Sequence, residues 1–213
     1  MVVRSAFAPL VDLIYPPRCP LCGDAIAAQR GLCTRCWMTL EVPETGSEDG
    51  VTAATLYNDT ARQLVLNFKH GRKISLAAMM ARQIAARLPD LAGEWLAVPV
   101  PLHRTRMWQR GYNQSALIAR ELSRMRDLTL MVDALERPRR TPSLGGLGRS
   151  ERARVLQGAI IANRARRDSL RGSQVLLVDD VLTSGATSRA CKEALHEAGV
   201  RRVHVACFSR VRA

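Results

Sequence analysis

Several common features are missing from this sequence, and each absence narrows the possible functions. No apolar run approaches the ~20 residues that a membrane-spanning helix needs, so no membrane span is expected. Aromatic residues make up only 4% of the chain, which argues against a surface that stacks nucleic-acid bases. The chain has no Walker A loop and no Rossmann fingerprint, so the two commonest nucleotide-binding motifs are absent.

Acidic residues are scarce relative to basic ones. The chain has 32 Lys and Arg against 19 Asp and Glu, a formal net charge of +13. Such a charge predicts that the protein binds anions, either the phosphates of a small ligand or nucleic acid. The alternative is that the charge reflects only a general bias of the sequence toward Arg. The most basic stretch, 137–171, has ten arginines and two acids and is predicted to be mobile. We expect its arginines to bind single-stranded DNA weakly and without sequence preference.

The chain divides into three zones. Residues 1–43 hold an apolar start and a cluster of cysteines, and residues 44–50 are small and acidic, as in a linker. Residues 51–213 alternate between strand-like and helix-like segments, which predicts a parallel sheet with crossover helices. Pro9 and Asp12 interrupt the apolar start, so we interpret it as a short amphipathic helix rather than a signal peptide and expect a cytoplasmic protein.

The apolar pattern predicts the individual elements of residues 51–213. Strands are predicted at 51–57, 95–101, 128–135, 156–162, 174–180 and 203–209. One helical stripe comprises Ala61, Leu64, Val65 and Phe68, and a second comprises Leu76, Met80, Ile84 and Leu88. Asn113 is a candidate cap for a helix that buries Ile118, Leu122 and Met125. We expect Cys191 and Cys207 in the core, and His196 and His204 at the surface or at a sheet edge.

Four of the six cysteines form two CxxC pairs, Cys19 with Cys22 and Cys33 with Cys36, separated by ten residues. Each pair suits a tight turn, and two such turns place four thiolates around one Zn2+. Two disulfides or a redox CxxC are the alternatives, and neither fits paired motifs in a cytoplasmic protein. A site with four thiolates is closed to further ligands, so the metal is predicted to be structural.

The stretch VLLVDDVLTSGAT (175–187) carries the clearest binding signal. A hydrophobic strand ends in Asp179 and Asp180, and a loop rich in hydroxyls then opens a helix. Free backbone N–H groups at a helix start stabilise a phosphate, and Gly185 permits close approach of the backbone. The two carboxylates would repel a bare phosphate, but they can hold neutral hydroxyls, directly or through Mg2+. A phosphorylated sugar has both a phosphate for the loop and hydroxyls for the carboxylates.

This stretch resembles the motif with which type I phosphoribosyltransferases bind 5-phosphoribosyl-1-pyrophosphate (PRPP). The resemblance implies that Asp179 and Asp180, the candidate catalytic residues, contact the ribose 2′ and 3′ hydroxyls. It implies that the 5′-phosphate is held by the loop residues Thr183, Ser184, Gly185, Ala186 and Thr187. The alternative is a plain strand-to-helix turn with two solvated acids.

The segment VPVPLHRTRMWQRGYNQS (98–115), the cysteine pairs and the PRPP motif together resemble the ComF family of competence-associated proteins. The resemblance implies an α/β fold: a type I phosphoribosyltransferase-like parallel sheet flanked by helices, with a small N-terminal four-cysteine zinc ribbon. It implies a role in handling transforming DNA, with single-stranded DNA as a candidate partner, and we assign the phosphoribosyltransferase-like domain to 51–213. A further alternative is a scaffold whose zinc ribbon recruits a partner such as a competence helicase.

The same segment gathers four candidate cations after a predicted strand: His103, Arg104, Arg106 and Arg110. In the phosphoribosyltransferase fold this position faces the pyrophosphate of PRPP, and a surface basic loop is the alternative. Lys69 is a fifth candidate for the pyrophosphate, with a solvated cation at a helix end as its alternative.

Two functional classes remain open. One is an enzyme that transfers phosphoribosyl to an unidentified acceptor, with pyrophosphate as the leaving group. The other is a DNA-handling protein that uses the fold without turnover. In purine-salvage relatives an Asp that contacts the base stands at the place of Thr183, and Thr is no general base at neutral pH. This difference argues against nucleobase salvage.

Overall fold

A computed structural model describes residues 16–27, 31–44, 47, 49–71, 73–139 and 158–212 of the chain. The strands are β1 (Val51–Leu56), β2 (Trp95–Pro99), β3 (Thr129–Leu130), β4 (Leu135–Glu136), β5 (Ile161–Ala162), β6 (Gln174–Leu182) and β7 (Arg202–Arg210). The helices are α1 (Thr34–Met38), α2 (Asp59–Lys69), α3 (Leu76–Ala85), α4 (Arg104–Arg110), α5 (Gln114–Arg126), α6 (Arg167–Leu170) and α7 (Ala186–Glu197). The predicted amphipathic N-terminal helix and most of the glycine-rich part of 137–171 lie outside these residues.

Five strands form one sheet in the order β1-β7-β6-β2-β3, and every neighbouring pair is parallel. The predicted parallel sheet is therefore confirmed. The chain passes from β2 outward to β3 on one side and from β6 outward to β7 on the other. The order therefore reverses between β2 and β6, and the carboxyl ends of those two strands border a crevice of the kind that binds ligands in open α/β sheets.

Helices cover both faces of the sheet, which explains the continuous apolar run of β6. Leu176 and Val178 pack in the core beneath α2, α3 and α5. Val175 and Leu177 pack in a second core beneath α7 and the β4–β5 pair. The first helical stripe is buried in the first core as predicted, and Cys191 and Cys207 are buried.

Asn113 caps α5 as predicted: its Oδ1 accepts from the backbone N–H groups of Ser115 and Ala116, at 3.0 and 3.4 Å. Ile118 and Leu122 are fully buried on that helix. The prediction for Met125 is wrong, since this side chain is 40% exposed. It lies in the last turn of α5, beyond the point where the helix packs on the sheet.

The predicted strand at 128–135 is wrong as a single element. It is divided between β3, which lies in the main sheet, and β4, which pairs antiparallel with β5. The chain turns at Asp133, whose carboxylate accepts from Arg166 Nε at 3.0 Å and whose carbonyl accepts from Asn163 Nδ2 at 3.0 Å. These polar contacts hold the turn. The described part of the predicted strand at 156–162 is 158–162, and within it Ile161 and Ala162 are a strand.

His204 is buried, which contradicts its predicted place at the surface or at a sheet edge. Its Nε2 lies 2.9 Å from Thr52 Oγ1. The error has a topological cause: β7 is the last strand of the chain, but β1 pairs on its outer side and removes the edge. No helix within the described ranges is long and apolar enough to span a membrane.

The cysteine-bearing segment packs against the first core rather than standing apart from it. Cys19, Leu32 and Leu40 are buried there. The carbonyl of Pro20 accepts from Asn67 Nδ2 at 3.1 Å and from Lys73 Nζ at 2.9 Å. The segment is thereby attached to the end of α2 that also carries Lys69.

Candidate functional site

Two acidic side chains lie side by side at the carboxyl end of β6. Asp180 is buried, and Lys69 Nζ approaches its Oδ2 to 2.9 Å as an ion pair whose angle is not that of a hydrogen bond. Oδ1 of Asp179 accepts from Ser115 Oγ at 3.0 Å and from the backbone N–H of Asp180 at 2.9 Å. Three elements therefore meet here: β6, the end of α2 and the start of α5.

The environment of Asp179 disfavours its charged form. Burial, and secondly the negative charge of Asp180, raise the pKa of Asp179 to about 7. The positive charge of Lys69 and the hydrogen bonds from Asp180 and Ser115 oppose this rise. The fold thus holds a carboxyl group whose protonation changes near neutral pH, as in many functional sites.

Lys69 reaches this pair of acids from the last turn of α2. Its side chain is only 23% exposed and it is directed at Asp180, so the alternative prediction of a solvated cation is wrong. Tyr112 fixes the same region, because its hydroxyl donates to the carbonyl of Phe68. The contact of Lys69 with pyrophosphate stays a prediction.

The loop after the two acids leads directly into α7. Gly185 occupies the N-cap position with φ 71°, a left-handed conformation that suits glycine, and no side chain caps the helix. Ser188 Oγ instead donates to the carbonyl of Gly185 at 2.9 Å. Thr183 is exposed and Ala186 is buried. The first-turn N–H groups of α7 therefore have no side-chain acceptor, which is the arrangement that binds an anion.

Three of the four predicted cations of 103–110 lie in α4, and the fourth, His103, directly precedes it. The helix begins shortly after β2 ends. His103 caps this helix, with Nδ1 accepting from the N–H of Thr105 at 3.2 Å. Arg110 Nη1 donates to Gln114 Oε1 at 3.1 Å. Arg106 is half-buried, and burial and the charge of Arg110 lower the pKa of its guanidinium. Arg104 is exposed, so the four cations do not converge on one point.

Sequence reasoning missed Arg137 as a member of the site. The residue follows β4 and is only 7% exposed. Burial, and secondly the charge of Arg106, lower its pKa, while Asp179 and Cys191 oppose this effect. Arg137 is thus close enough to Arg106 and Asp179 for their charges to act on it. No sequence signal separates Arg137 from the other arginines of 137–171.

The four paired cysteines converge, as their spacing predicts. Their Sγ atoms all lie within 4.8 Å of one another, and none forms a disulfide. Cys22 Sγ and Cys33 Sγ are 3.5 Å apart. Tetrahedral zinc with Zn–S bonds of ~2.3 Å places sulfur atoms ~3.8 Å apart, so the cluster fits one Zn2+ with every ligand position filled.

Comparison with known families agrees with both parts of the structure. The Double zinc ribbon domain family matches residues 10–46, and the Phosphoribosyl transferase domain family matches residues 110–213. DNA utilization protein YhgH of Escherichia coli (strain K12) is 30% identical over 198 residues, which cover 90% of this chain and 83% of that protein. The chain belongs to the ComF family.

Two further relatives agree with this membership. Competence protein F of Haemophilus influenzae is 27% identical over 195 residues, covering 89% of this chain and 82% of that protein. Competence protein ComFC of Bacillus subtilis is 25% identical over 206 residues, covering 91% of this chain and 77% of that protein. The predicted ComF family and phosphoribosyltransferase-like fold are confirmed, and the four cysteines are those of a structural zinc site.

Proposed function

We propose that this ComF-family protein binds PRPP in the crevice between β2 and β6 and acts in the use of incoming DNA. The observation that carries the proposal is the adjacency of the acids Asp179 and Asp180 to the uncapped start of α7. One ligand with two hydroxyls and a phosphate satisfies both groups. The names of the ComF relatives, competence protein and DNA utilization protein, support the cellular role.

The ribose hydroxyls of PRPP are assigned to the acids. Oδ1 of Asp179 already accepts two hydrogen bonds, so its other oxygen is the acceptor for a hydroxyl. Asp180 keeps its ion pair with Lys69, which offsets the negative charge brought by the ligand. The 5′-phosphate is assigned to the backbone of residues 183–187, where the positive end of the α7 dipole adds to the N–H donors.

The pyrophosphate group of PRPP is assigned to the basic side of the crevice. Arg106 is half-buried there and Arg137 is buried, and the charge of Arg106 lowers the pKa of Arg137. A bound anion would offset the repulsion between these two like charges. Three further cations lie in α4 or at its N-cap: His103, Arg104 and Arg110. Mg2+, when bound, would neutralise part of the pyrophosphate charge.

Transfer of phosphoribosyl to an acceptor is the second candidate function. The pKa of Asp179, about 7, suits a group that accepts a proton from an attacking nucleophile near neutral pH. Release of pyrophosphate from PRPP in the presence of candidate acceptors tests this reaction. Binding without pyrophosphate release would leave the binding function intact and remove the enzymatic one.

Titration calorimetry with PRPP and Mg2+ tests the binding proposal. The double change Asp179→Asn and Asp180→Asn should weaken binding roughly tenfold or more, since each charged hydrogen bond contributes about 1.5–3 kcal/mol. The matched control is Asp90→Asn with Asp127→Asn, two exposed acids away from the carboxyl ends of the strands. The control tolerates the change, because Asp127 has φ 50°, which Asn also adopts. Equal PRPP affinity in both variants, with folding verified by circular dichroism, would remove the site.

The cellular role has a separate test. The chain is expressed in an Escherichia coli strain that lacks its own 30%-identical relative, and growth on DNA as nutrient is measured. Restored growth with the wild-type chain and no growth with the double Asp variant is the expected result. Restored growth with both would separate the cellular role from PRPP.

A further inference from the structure

A second concavity lies beside the crevice and is absent from the function described so far. It is an open groove of about 1010 Å3, and neither Asp179 nor Asp180 lines it. Its walls come from α7, from the two ends of β1 and from the residues that follow β7. Thr183, Ser184 and Gly185 form one end, so the groove adjoins the proposed phosphate loop.

The groove is strongly basic. Among the lining residues that the structure describes, four are cations and one is an acid: Arg189, Lys192, Arg210 and Arg212 against Asp49. Arg212 has an exposed ion pair with Glu41 at 3.2 Å. Within the described part of the chain, no salt bridge involves Arg189 or Lys192. These two cations, one turn apart on α7, therefore offer their charge to a ligand.

The shape of the groove favours an elongated ligand. Val51 and Leu56 line it at opposite ends of β1, which are about 17 Å apart at ~3.3 Å per residue. That length exceeds what one phosphate group needs. None of the described lining residues is aromatic, so they offer no platform on which a base could stack. The ligand that matches this charge, length and lining is a chain of phosphates recognised through its backbone.

We propose that this groove binds the phosphodiester backbone of single-stranded nucleic acid, with Arg189 and Lys192 as principal contacts. The groove ends at the loop of residues 183–185, so a strand lying in it leads toward the crevice. The proposal places a DNA-binding surface in the groove, in addition to the arginines of 137–171 that the sequence predicts to bind single strands. The groove shares residues 183–185 with the proposed 5′-phosphate site, but its principal contacts, Arg189 and Lys192, are not among the residues proposed to hold PRPP.

The test is fluorescence anisotropy of a labelled oligothymidine at low and moderate salt, with the full zinc-loaded protein. The variant Arg189→Glu with Lys192→Glu should bind roughly tenfold weaker or more, and its slope of log affinity against log salt should fall by about 2. Arg189 lies in the first turn of α7, where an acidic side chain is compatible with the helix dipole, and Glu is a good helix former at position 192. The helix should therefore still form.

The matched control carries the same change of net charge away from the groove, as Arg62→Glu with Arg201→Glu. Both of these arginines are exposed and neither lines the groove. The control should keep the wild-type salt slope and lose less than roughly threefold in affinity, since only the long-range field is altered. Equal losses in the two variants would overturn the proposal.

Two further arms separate strand binding in the groove from misfolding of the variant and from binding in the crevice. The milder variant Arg189→Gln with Lys192→Gln should also lose affinity for the oligonucleotide, but by a smaller factor. It replaces the charge-reversal variant, Arg189→Glu with Lys192→Glu, if that variant does not fold. The Asp179→Asn, Asp180→Asn protein should bind the oligonucleotide as the wild type does, which separates this proposal from PRPP binding. Competition by duplex DNA or by polyglutamate as strong as that by the single strand would overturn the assignment to single strands.

Discussion

Two regions of this molecule gather like charges, and they stabilise them by different means. The zinc ribbon brings four sulfur atoms within 4.8 Å of one another, and four thiolates at this spacing are stabilised by a bound Zn2+. The crevice brings Asp179 and Asp180 together, and protein groups compensate them in part through Lys69 and Ser115. The first cluster therefore depends on its ligand for folding, whereas the second is formed in advance and waits for a ligand.

The largest effect is expected in the ribbon. A single Cys22→Ser or Cys33→Ser should reduce bound zinc from one per chain to nearly none and disorder the ribbon, since folding of so small a unit is coupled to metal. Cys191→Ala is the control, because Cys191 is buried on α7, away from the cluster, and the variant should keep the zinc. Elemental analysis of protein purified without chelator makes the measurement. Full zinc content in either serine variant would contradict the four-thiolate site.

A smaller effect is expected from the cation of the crevice. Lys69→Met leaves Asp180 buried without its ion pair, which should lower the free energy of unfolding by about 2–3 kcal/mol at neutral pH. The control, Arg62→Met, lies exposed on the same helix and should cost less than about 0.5 kcal/mol. Urea denaturation of both variants measures the difference. Similar stabilities would mean that Lys69 does not compensate the acids.

The smallest effect has the opposite sign. Asp179→Asn should raise the free energy of unfolding by about 1–2 kcal/mol at pH 8, because the carboxylate is ionised there at the cost of its burial. Asn keeps an Oδ1 acceptor for Ser115 Oγ and for the N–H of Asp180. Such a gain in stability would indicate that the buried carboxylate is kept for ligand binding at a cost in folding stability.

The pH dependence of the wild type follows from the same group. The pKa of Asp179 rises from 3.8 to about 7 on folding, so between these values the folded state holds a proton that the unfolded chain has released. Its contribution to stability is therefore present at low pH and is lost as the pH rises toward 7. Urea denaturation at pH 5 and at pH 8 should show a larger difference between Asn variant and wild type at pH 8. An equal difference at both values would contradict the raised pKa.

The parts that the sequence predicted well are those with strong local signals. The apolar run of 175–178 is buried on both faces of the sheet, and paired CxxC spacing is a direct consequence of tetrahedral thiolate geometry. Asn113 is a cap because a short side-chain acceptor before an amphipathic segment satisfies free N–H groups.

The parts that the sequence did not predict depend on contacts distant along the chain. Lys69 contacts Asp180 only when the fold brings the end of α2 to β6, and the site role of Arg137 depends on the fold bringing it near Arg106 and Asp179. His204 is buried because β1 pairs with the outer side of β7, and no local sequence pattern predicts this pairing. The groove beside α7 likewise combines residues from both ends of the sheet domain.

The pairing of β1 with β7 has a consequence for synthesis of the protein. Thr52 and His204 touch across that pair although they are 152 positions apart, so β1 must remain without its only neighbour in the sheet until β7 has been made. At ~5–20 residues per second, translation imposes a wait of about 8–30 s. During that interval a strand with open hydrogen-bonding groups is exposed to other nascent chains. This domain is thus expected to complete its sheet late, and to depend on chaperones that shield the early strand.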